Sequence, residues 1–187
     1  VHPQGFRYLK QFRLDPFPVF TYEIEGIEIE KTVFMIYGEN STVVHYELNK
    51  NNHPESPNLR LEIRPLIAFR DYHGTSHHND GLNKFVDVEE GQAAVTPYQG
   101  LPTLHFAHNG GQAEATGDWF YNFEYAREKE RGLDFREDLF NPFVLRFAGR
   151  RGVVIASTER HEAAAATSLR LQEIERRSGI LKLAPSS

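Results

Sequence analysis

The sequence has no cysteine, a single tryptophan and no long apolar run. Without cysteine the chain can form no disulfide bond and can use no thiolate as a nucleophile or metal ligand. No segment reaches the roughly 18 consecutive apolar residues of a membrane-spanning helix, and the first residues lack the apolar region of a signal peptide. Basic residues are scattered and the net charge is −5, which is unlike a nucleic-acid-binding surface. We therefore expect neither a membrane nor a nucleic acid as a partner.

The 187 residues fit one domain with a hydrophobic core. Hydrophobic residues make up 40% of the chain and charged residues 25%, proportions typical of folded proteins. The chain starts at Val1 rather than at a methionine, and it stops at APSS directly after a predicted helix. We expect both ends to be cuts through a longer polypeptide. The alternative is a processed or tagged small protein.

Most of the chain consists of short segments in which apolar and polar residues alternate, as they do in half-buried strands. Turn-forming residues separate these segments at intervals of about ten residues, which favours an antiparallel β-sandwich or barrel. Pro65 predicts a bulge or a sheet edge, and Asn109-Gly110-Gly111 predicts a hairpin turn. The predicted strands are 6–14, 19–24, 27–36, 42–48, 59–69, 84–88, 92–96, 103–107, 112–115, 119–125, 145–147 and 153–157.

The last thirty residues differ from the rest, because residues 159–178 predict a helix. Thr158 is a suitable N-cap, and Gly179 is a suitable residue to end the helix. The apolar stripe is thin, with only Leu169, Leu171 and Ile174. We therefore divide the chain into a β-sandwich domain, 1–157, and a helical linker, 158–187, that leads to another domain.

The segment 117–142 joins an aromatic strand to a charge cluster. Alternation predicts that Trp119, Tyr121, Phe123 and Tyr125 share one face of a strand and enter the core. Residues 127–138 are densely charged and predict an exposed loop, which Pro142 closes. Its acidic side chains suggest the paired carboxylates of a glycoside hydrolase, but alternating charges are more typical of a salt-bridged surface. The carboxylates in question are Glu124, Glu128, Asp134, Glu137 and Asp138.

A second polar group follows the strong strand 59–69. Arg70, Asp71, Tyr72 and His73 combine the donors, acceptors and ring that bind sugar hydroxyls. The alternative is an Arg–Asp ion pair that caps the sheet edge. His73, His77 and His78, with Asp71 or Asp80, also have the ligand types of a zinc or iron site. The pattern favours the alternative, a solvated loop in which the adjacent histidines point apart.

Three segments together resemble a known family. These are HPQGFRYLKQFRLDPFPVFTYEIEG at 2–26, IRPLIAFRDYH at 63–73 and EYAREKERGLDFREDLFNP at 124–142. They resemble the N-terminal domain of bacterial and archaeal glycogen debranching enzymes of the amylo-α-1,6-glucosidase type. The resemblance implies an antiparallel β-sandwich of the super-sandwich, galactose-mutarotase-like type, here without its first strands. It also implies a C-terminal linker helix that leads to an (α/α)-barrel catalytic domain of the same polypeptide.

The resemblance further implies a domain that is not catalytic by itself and uses no cofactor or metal. The parent enzyme would hydrolyse α-1,6-glucosidic branch points in cytoplasmic glycogen catabolism. This domain would pack on the catalytic barrel and contact glycogen or maltooligosaccharide. The residues that we expect at the barrel or glucan face are Arg70, Asp71, Tyr72, His73, Tyr125, Glu128, Arg131 and Asp134.

The alternative hypothesis is a stand-alone enzyme on a similar β-fold. A mutarotase-like sugar epimerase would use a histidine and a carboxylate. A cupin-like metal enzyme would use the loop of His73, His77 and His78.

Overall fold

The computed structural model describes residues 4–50, 60–71 and 74–183. In these ranges the chain forms eleven strands and two α-helices. The strands are β1 (Leu9–Leu14), β2 (Pro18–Ile24), β3 (Ile27–Met35), β4 (Ser41–Lys50), β5 (Leu61–Ile63), β6 (Val86–Glu89), β7 (Gln92–Val95), β8 (Leu104–His108), β9 (Ala113–Glu124), β10 (Arg136–Phe147) and β11 (Arg151–Ser157). The helices are α1 (Ala126–Glu130) and α2 (Ala166–Leu183).

The strands form two antiparallel sheets of unequal size. Sheet A has eight strands in the order β1-β2-β3-β4-β11-β8-β7-β6, and sheet B has three in the order β5-β10-β9. The predicted antiparallel β-sandwich with a C-terminal helix is confirmed. No helix in the described ranges is long and apolar enough to cross a membrane.

Alternation along the central strands divides the core into two parts. In β11, Val154 faces sheet B, and the next residue, Ile155, faces the opposite side. The inner cluster joins sheet B to the half of sheet A that consists of β11, β8, β7 and β6. Its buried side chains include Val86, Val95, Phe106, Phe143, Leu145 and Phe147. The outer cluster joins sheet A to α2 and its leading segment through Phe17, Phe34, Val43, Ile155, Ala166, Leu169 and Ile174.

In the part of the chain that the structure describes, no element covers the inner side of the β1–β4 half of sheet A in this way. Val44 identifies this inner side, because it pairs with Val154, which faces sheet B. The cross-strand pairs then show which other side chains of this half lie on the same face as Val44. Among the described residues, neither buried cluster includes these side chains. We call this surface the open face, and it comprises Phe12, Leu14, Phe20, Tyr22, Ile24, Ile29, Lys31, Val33, Met35 and Tyr46.

The predicted strands 59–69 and 145–147 both need correction. A proline interrupts the first, and the second is part of a longer strand that pairs with a distant segment. Segment 59–69 contributes only β5 and an isolated bridge from Ile67 to Phe140. Pro65 interrupts the segment, and β5 lies at an edge of sheet B, as Pro65 predicted. Residues 145–147 are only the end of the twelve-residue β10. Pro142 lies inside this strand, where the register with β9 shifts between Asn141 and Phe143.

The predicted hairpin at Asn109-Gly110-Gly111 is wrong. The strands on either side, β8 and β9, belong to different sheets, so this turn carries the chain from sheet A to sheet B. A Cβ atom on Gly110 would lie 2.7 Å from Cε1 of the buried Phe147 ring. The glycine therefore allows a close approach to the core.

The helix prediction was right in kind and wrong in its ends. Helix α2 begins at Ala166, after a short 3-10 turn over Ala163–Ala165, so Thr158 is not its N-cap. Gly179 lies inside the helix, which continues to Leu183. The short α1 was not predicted. Whether α2 also serves as a linker stays a prediction.

The aromatic segment is one strand with 112–115, and its simple alternation is broken. Gly117 and Asn122 have positive φ values, 66° and 59°, and the register with β10 shifts twice. Tyr121 is therefore 57% exposed instead of entering the core. Trp119 is partly buried against Phe140, at 5.4 Å between ring centroids.

Candidate functional site

A buried carboxylate, Glu137, lies where segments 70–76 and 125–138 meet. Its side chain is 1% exposed at the start of β10. Arg70 donates from Nε to Oε2 at 2.6 Å and from Nη2 to Oε1 at 3.0 Å. The Tyr125 hydroxyl donates to Oε1, and the backbone N–H of Ser76 donates to Oε2 at 3.2 Å. Both carboxylate oxygens therefore accept hydrogen bonds from side chains or backbone of this site.

These donors keep Glu137 ionised. The Arg70 hydrogen bonds, followed by those of Tyr125 and Ser76, outweigh burial and lower the pKa of Glu137 to about 2. Burial and the neighbouring carboxylate raise the pKa of the Tyr125 hydroxyl. An ionised carboxylate with both oxygens engaged cannot act as a general acid near neutral pH.

Asp138, the next residue of β10, binds the backbone of the loop that contains His78 and the backbone of strand β9. Its Oδ2 accepts from the backbone N–H of His78 at 3.0 Å, and its Oδ1 accepts from that of Asn122 at 2.9 Å. These bonds lower the pKa of Asp138. The backbone N–H of Asp138 donates to the Ser76 carbonyl at 2.8 Å. Glu137 and Asp138 thus attach the loop after Gly74 to the β9–β10 hairpin.

An aromatic cluster lies next to Asp138. The His78 ring meets Trp119 edge to face at 5.1 Å and Tyr121 at 5.9 Å between centroids. The buried Nε1 of Trp119 has no hydrogen-bond partner among the described residues. Tyr121 and His78 are exposed, so one side of this cluster is open to solvent.

The structure brings together two of the residues predicted for the barrel or glucan face, Arg70 and Tyr125, and both contact Glu137. Asp71 is exposed, and its carbonyl accepts from Arg70 Nη1 at 3.0 Å. Tyr72 and His73 lie outside the described residues. A role for any of them in binding glucan stays a prediction.

The other three predicted residues lie on the surface that follows Tyr125. Glu128 and Arg131 form an ion pair at 3.4 Å across one turn at α1. Asp134 is exposed in the connection to β10. An exposed pair of this kind contributes little to stability.

The sequence analysis considered Glu137 and Asp138 as catalytic carboxylates or as part of a salt-bridged surface, and it missed their role in positioning the loop after Gly74. Ser76, which contacts both, was not singled out. The partners of Glu137 are 61 and 67 residues away along the chain, so no local pattern reveals the contact. The sequence offers one signal for a buried role of these carboxylates: the acidic pair comes at the start of a strand, and the residues that follow it are apolar.

The histidine loop shows separate contacts. His77 Nδ1 lies 3.8 Å from Asp138 Oδ2, and His78 Nε2 lies 3.9 Å from Asp80 Oδ1. The third histidine of the predicted set, His73, is outside the described residues. The two described histidines therefore face different carboxylates.

Comparison with known proteins gives one result for most of the chain. The model of the family described as "Glycogen debranching enzyme N terminal" matches residues 1–155. No curated protein sequence matches the chain.

Proposed function

The chain belongs to the glycogen debranching enzyme N-terminal family, and from this premise we propose that it packs as a non-catalytic domain on the catalytic domain of the same polypeptide. The parent would hydrolyse α-1,6-glucosidic branch points of glycogen. The division into a sandwich, 1–157, and a linker, 158–187, belongs to the same proposal. So does the cytoplasmic location.

The open face is the observation that carries this proposal. Phe12 and Leu14 on β1 are 56% and 68% exposed, and Met35 on β3 is 59% exposed, with β2 between these two strands in the sheet. A sheet face this apolar is normally covered by another layer. Contiguous exposed apolar patches on folded domains mark interaction surfaces. The partner that fits is an apolar surface of a domain that follows in the same polypeptide.

The centre of the open face is already partly dehydrated. Lys31 Nζ lies over the Tyr46 ring, 5.9 Å from its centroid. Burial lowers the pKa of Lys31 and raises the pKa of Tyr46. A partner that covers this region would need an acceptor for the ammonium group.

The non-catalytic part of the proposal is supported by Glu137. The most buried carboxylate near the predicted loops holds structure together, since Arg70, Tyr125 and Ser76 occupy both of its oxygens. A retaining or inverting glycosidase needs one carboxyl group that is protonated and free to face the leaving group.

The test is association with the separately produced catalytic domain of the same polypeptide, followed by sedimentation. We expect a complex that Phe12→Glu or Met35→Glu weakens at least tenfold. Phe85→Glu is the matched control, because Phe85 is 70% exposed beside Ala94 and His105 on the other side of sheet A. A complex equally sensitive to all three variants, or no complex, would contradict the proposed surface.

A second proposal is direct contact with glucan near the aromatic cluster. Exposed Tyr121 offers a ring face to a pyranose, and His78 and the Asp138 carboxylate supply polar groups beside it. Calorimetry with maltooligosaccharides and branched limit dextrin should give binding heat that Tyr121→Ala removes and Phe85→Ala preserves. Absence of heat with every glucan would leave only the packing function.

The stand-alone enzyme hypothesis has its own assays. Interconversion of glucose anomers by the purified chain, abolished by His78→Gln, would favour the epimerase over the accessory domain. The family membership favours the accessory domain.

A further inference from the structure

Three ligand-type side chains converge at the end of sheet A that leads into α2. They are Glu39, in the turn between β3 and β4, and Glu159 and His161, which follow β11. One ligand atom from each lies within 4.8 Å of the others. His161 Nε2 and Glu39 Oε2 lie 3.0 Å apart.

This spacing suits a metal ion. Zinc binds imidazole nitrogen and carboxylate oxygen at about 2.0–2.2 Å, so tetrahedral ligands are about 3.2–3.6 Å apart. The observed Nε2–Oε2 distance of 3.0 Å is already close to that value. The remaining adjustment falls on Glu159, which is exposed and can change its rotamer.

Buried serines hold two of the three groups in place. Ser41 Oγ donates to Glu39 Oε2 at 2.9 Å and lies 3.3 Å from His161 Nε2. Ser157 Oγ is 2.7 Å from Ser41 Oγ, and both serines are at most 2% exposed. The His161 carbonyl accepts from Gln92 Nε2 at 2.5 Å. Outer groups that orient metal ligands in this way are typical of metal sites.

Among the described residues, no arginine or lysine compensates the charge of these two carboxylates. Over the described ranges, neither Glu39 nor Glu159 has an arginine or lysine within 4.0 Å, although many other glutamates do. The adjacent Arg160 pairs instead with Glu89. Two carboxylates beside an imidazole do not suit an anion, whereas a divalent cation would offset the carboxylate charge and accept all three as ligands.

We propose that Glu39, Glu159 and His161 bind a divalent first-row transition-metal ion of the zinc class, with an oxygen from water completing the set. The ion would fasten the segment 158–163 to the β3–β4 turn. Because that segment leads directly into α2, the ion would fix where the helix starts on the outer face. This site is separate from the Arg70–Glu137 cluster and does not depend on the proposed function.

The experiment uses the 187-residue chain after treatment with a chelator. Calorimetry with Zn²⁺ at pH 7 should show one ion per chain, and Co²⁺ should give the visible absorption of a bound site. Glu39→Gln, Glu159→Gln and His161→Gln should each weaken binding at least tenfold, and Ser41→Ala about tenfold through lost orientation. Hydrogen exchange in 158–163 should slow when Zn²⁺ is added.

The matched control is the double variant His77→Gln, His78→Gln, which removes two histidines from the other loop and should leave the affinity unchanged. Circular dichroism of each variant without metal checks folding, and Glu159→Gln changes only an exposed side chain. No Zn²⁺ heat and no Co²⁺ absorption would overturn the proposal. Binding that survives in His161→Gln and disappears in the double variant would overturn it as well.

Discussion

Arg70 and Glu137 are 67 residues apart in sequence, and their side chains form a two-point ion pair, with Nε–Oε2 at 2.6 Å and Nη2–Oε1 at 3.0 Å. Arg70 stands in the connection that follows β5, and Glu137 stands near the start of β10. The pair therefore joins two segments that no continuous strand pairing connects at this point. Glu137 is the enclosed partner, at 1% exposure against 25% for Arg70.

The first prediction concerns loss of the cation. Arg70→Met should lower the free energy of unfolding by about 3–5 kcal/mol, because it leaves a buried carboxylate without its partner. Arg127→Met is the matched control, since Arg127 is 82% exposed and pairs with exposed Glu130. Urea denaturation of both variants gives the comparison. Equal losses in the free energy of unfolding for the two variants would mean that the Arg70–Glu137 ion pair is no stronger than an exposed ion pair.

The second prediction concerns pH. The pKa of Glu137 is about 2 in the folded chain, against an ordinary 4.5, so the folded state binds this proton less readily than the unfolded state. The resulting stability of about 3 kcal/mol is complete above pH ~4.5 and is lost as the pH falls towards ~2.

The check is the urea midpoint measured from neutral to acidic pH. Glu137→Gln should be much less stable than the natural chain at pH 7, and the two should converge as the pH falls to ~2. If their pH profiles run parallel throughout this range, the lowered pKa is not the source of the stability.

The third prediction concerns α2. Leu169 packs against the outer cluster, whereas Leu171 on the same helix is 59% exposed. Leu169→Ala should lower the free energy of unfolding by about 1–3 kcal/mol, because removal of the half-buried side chain loses its packing contacts and leaves a partial cavity. Leu171→Ala should stay within about 0.5 kcal/mol of the natural chain. Thermal unfolding of the two variants shows whether α2 stabilises the sandwich. Equally small changes in stability for Leu169→Ala and Leu171→Ala would indicate that it does not.

The fourth prediction concerns the turn between the sheets. Gly110→Ala puts a Cβ atom 2.7 Å from Cε1 of Phe147, a ring that is 2% exposed. We expect a loss of about 1–3 kcal/mol from overpacking. Gly149→Ala is the control, because its Cβ would meet no described atom within 4 Å. A tolerated Gly110→Ala would show that the Phe147 ring moves aside easily.

The strands could be predicted from the sequence where turn residues bound a short apolar or alternating segment. In β11 the apolar run from Val153 to Ala156 predicts a strand, but it does not show that Val154 and Ile155 enter opposite core clusters. The alternation of β9 misleads, because positive φ at Gly117 and Asn122 changes which side chains face inwards. Such bulges depend on the pairing with β10, which sequence periodicity does not contain.

Sheet membership and the candidate site depend on distant contacts. Nothing near Gly110 indicates that the next strand joins the other sheet. The sequence indicates that Arg70 and Tyr125 are polar residues near segment ends, but only the fold shows that they share Glu137. The contact across 67 residues is fixed by the packing of sheet B.

The most direct test of the proposed packing is hydroxyl-radical footprinting of the open face. The 187-residue chain is compared with a longer protein in which the proposed catalytic domain follows it, here called the full-length protein. Oxidation is read at Met35, Phe12 and, as a control on the other side of sheet A, Phe85. We predict that Met35 and Phe12 are oxidised several-fold less in the full-length protein, while Phe85 is unchanged. Equal oxidation of Met35 and Phe12 in both proteins would contradict the account.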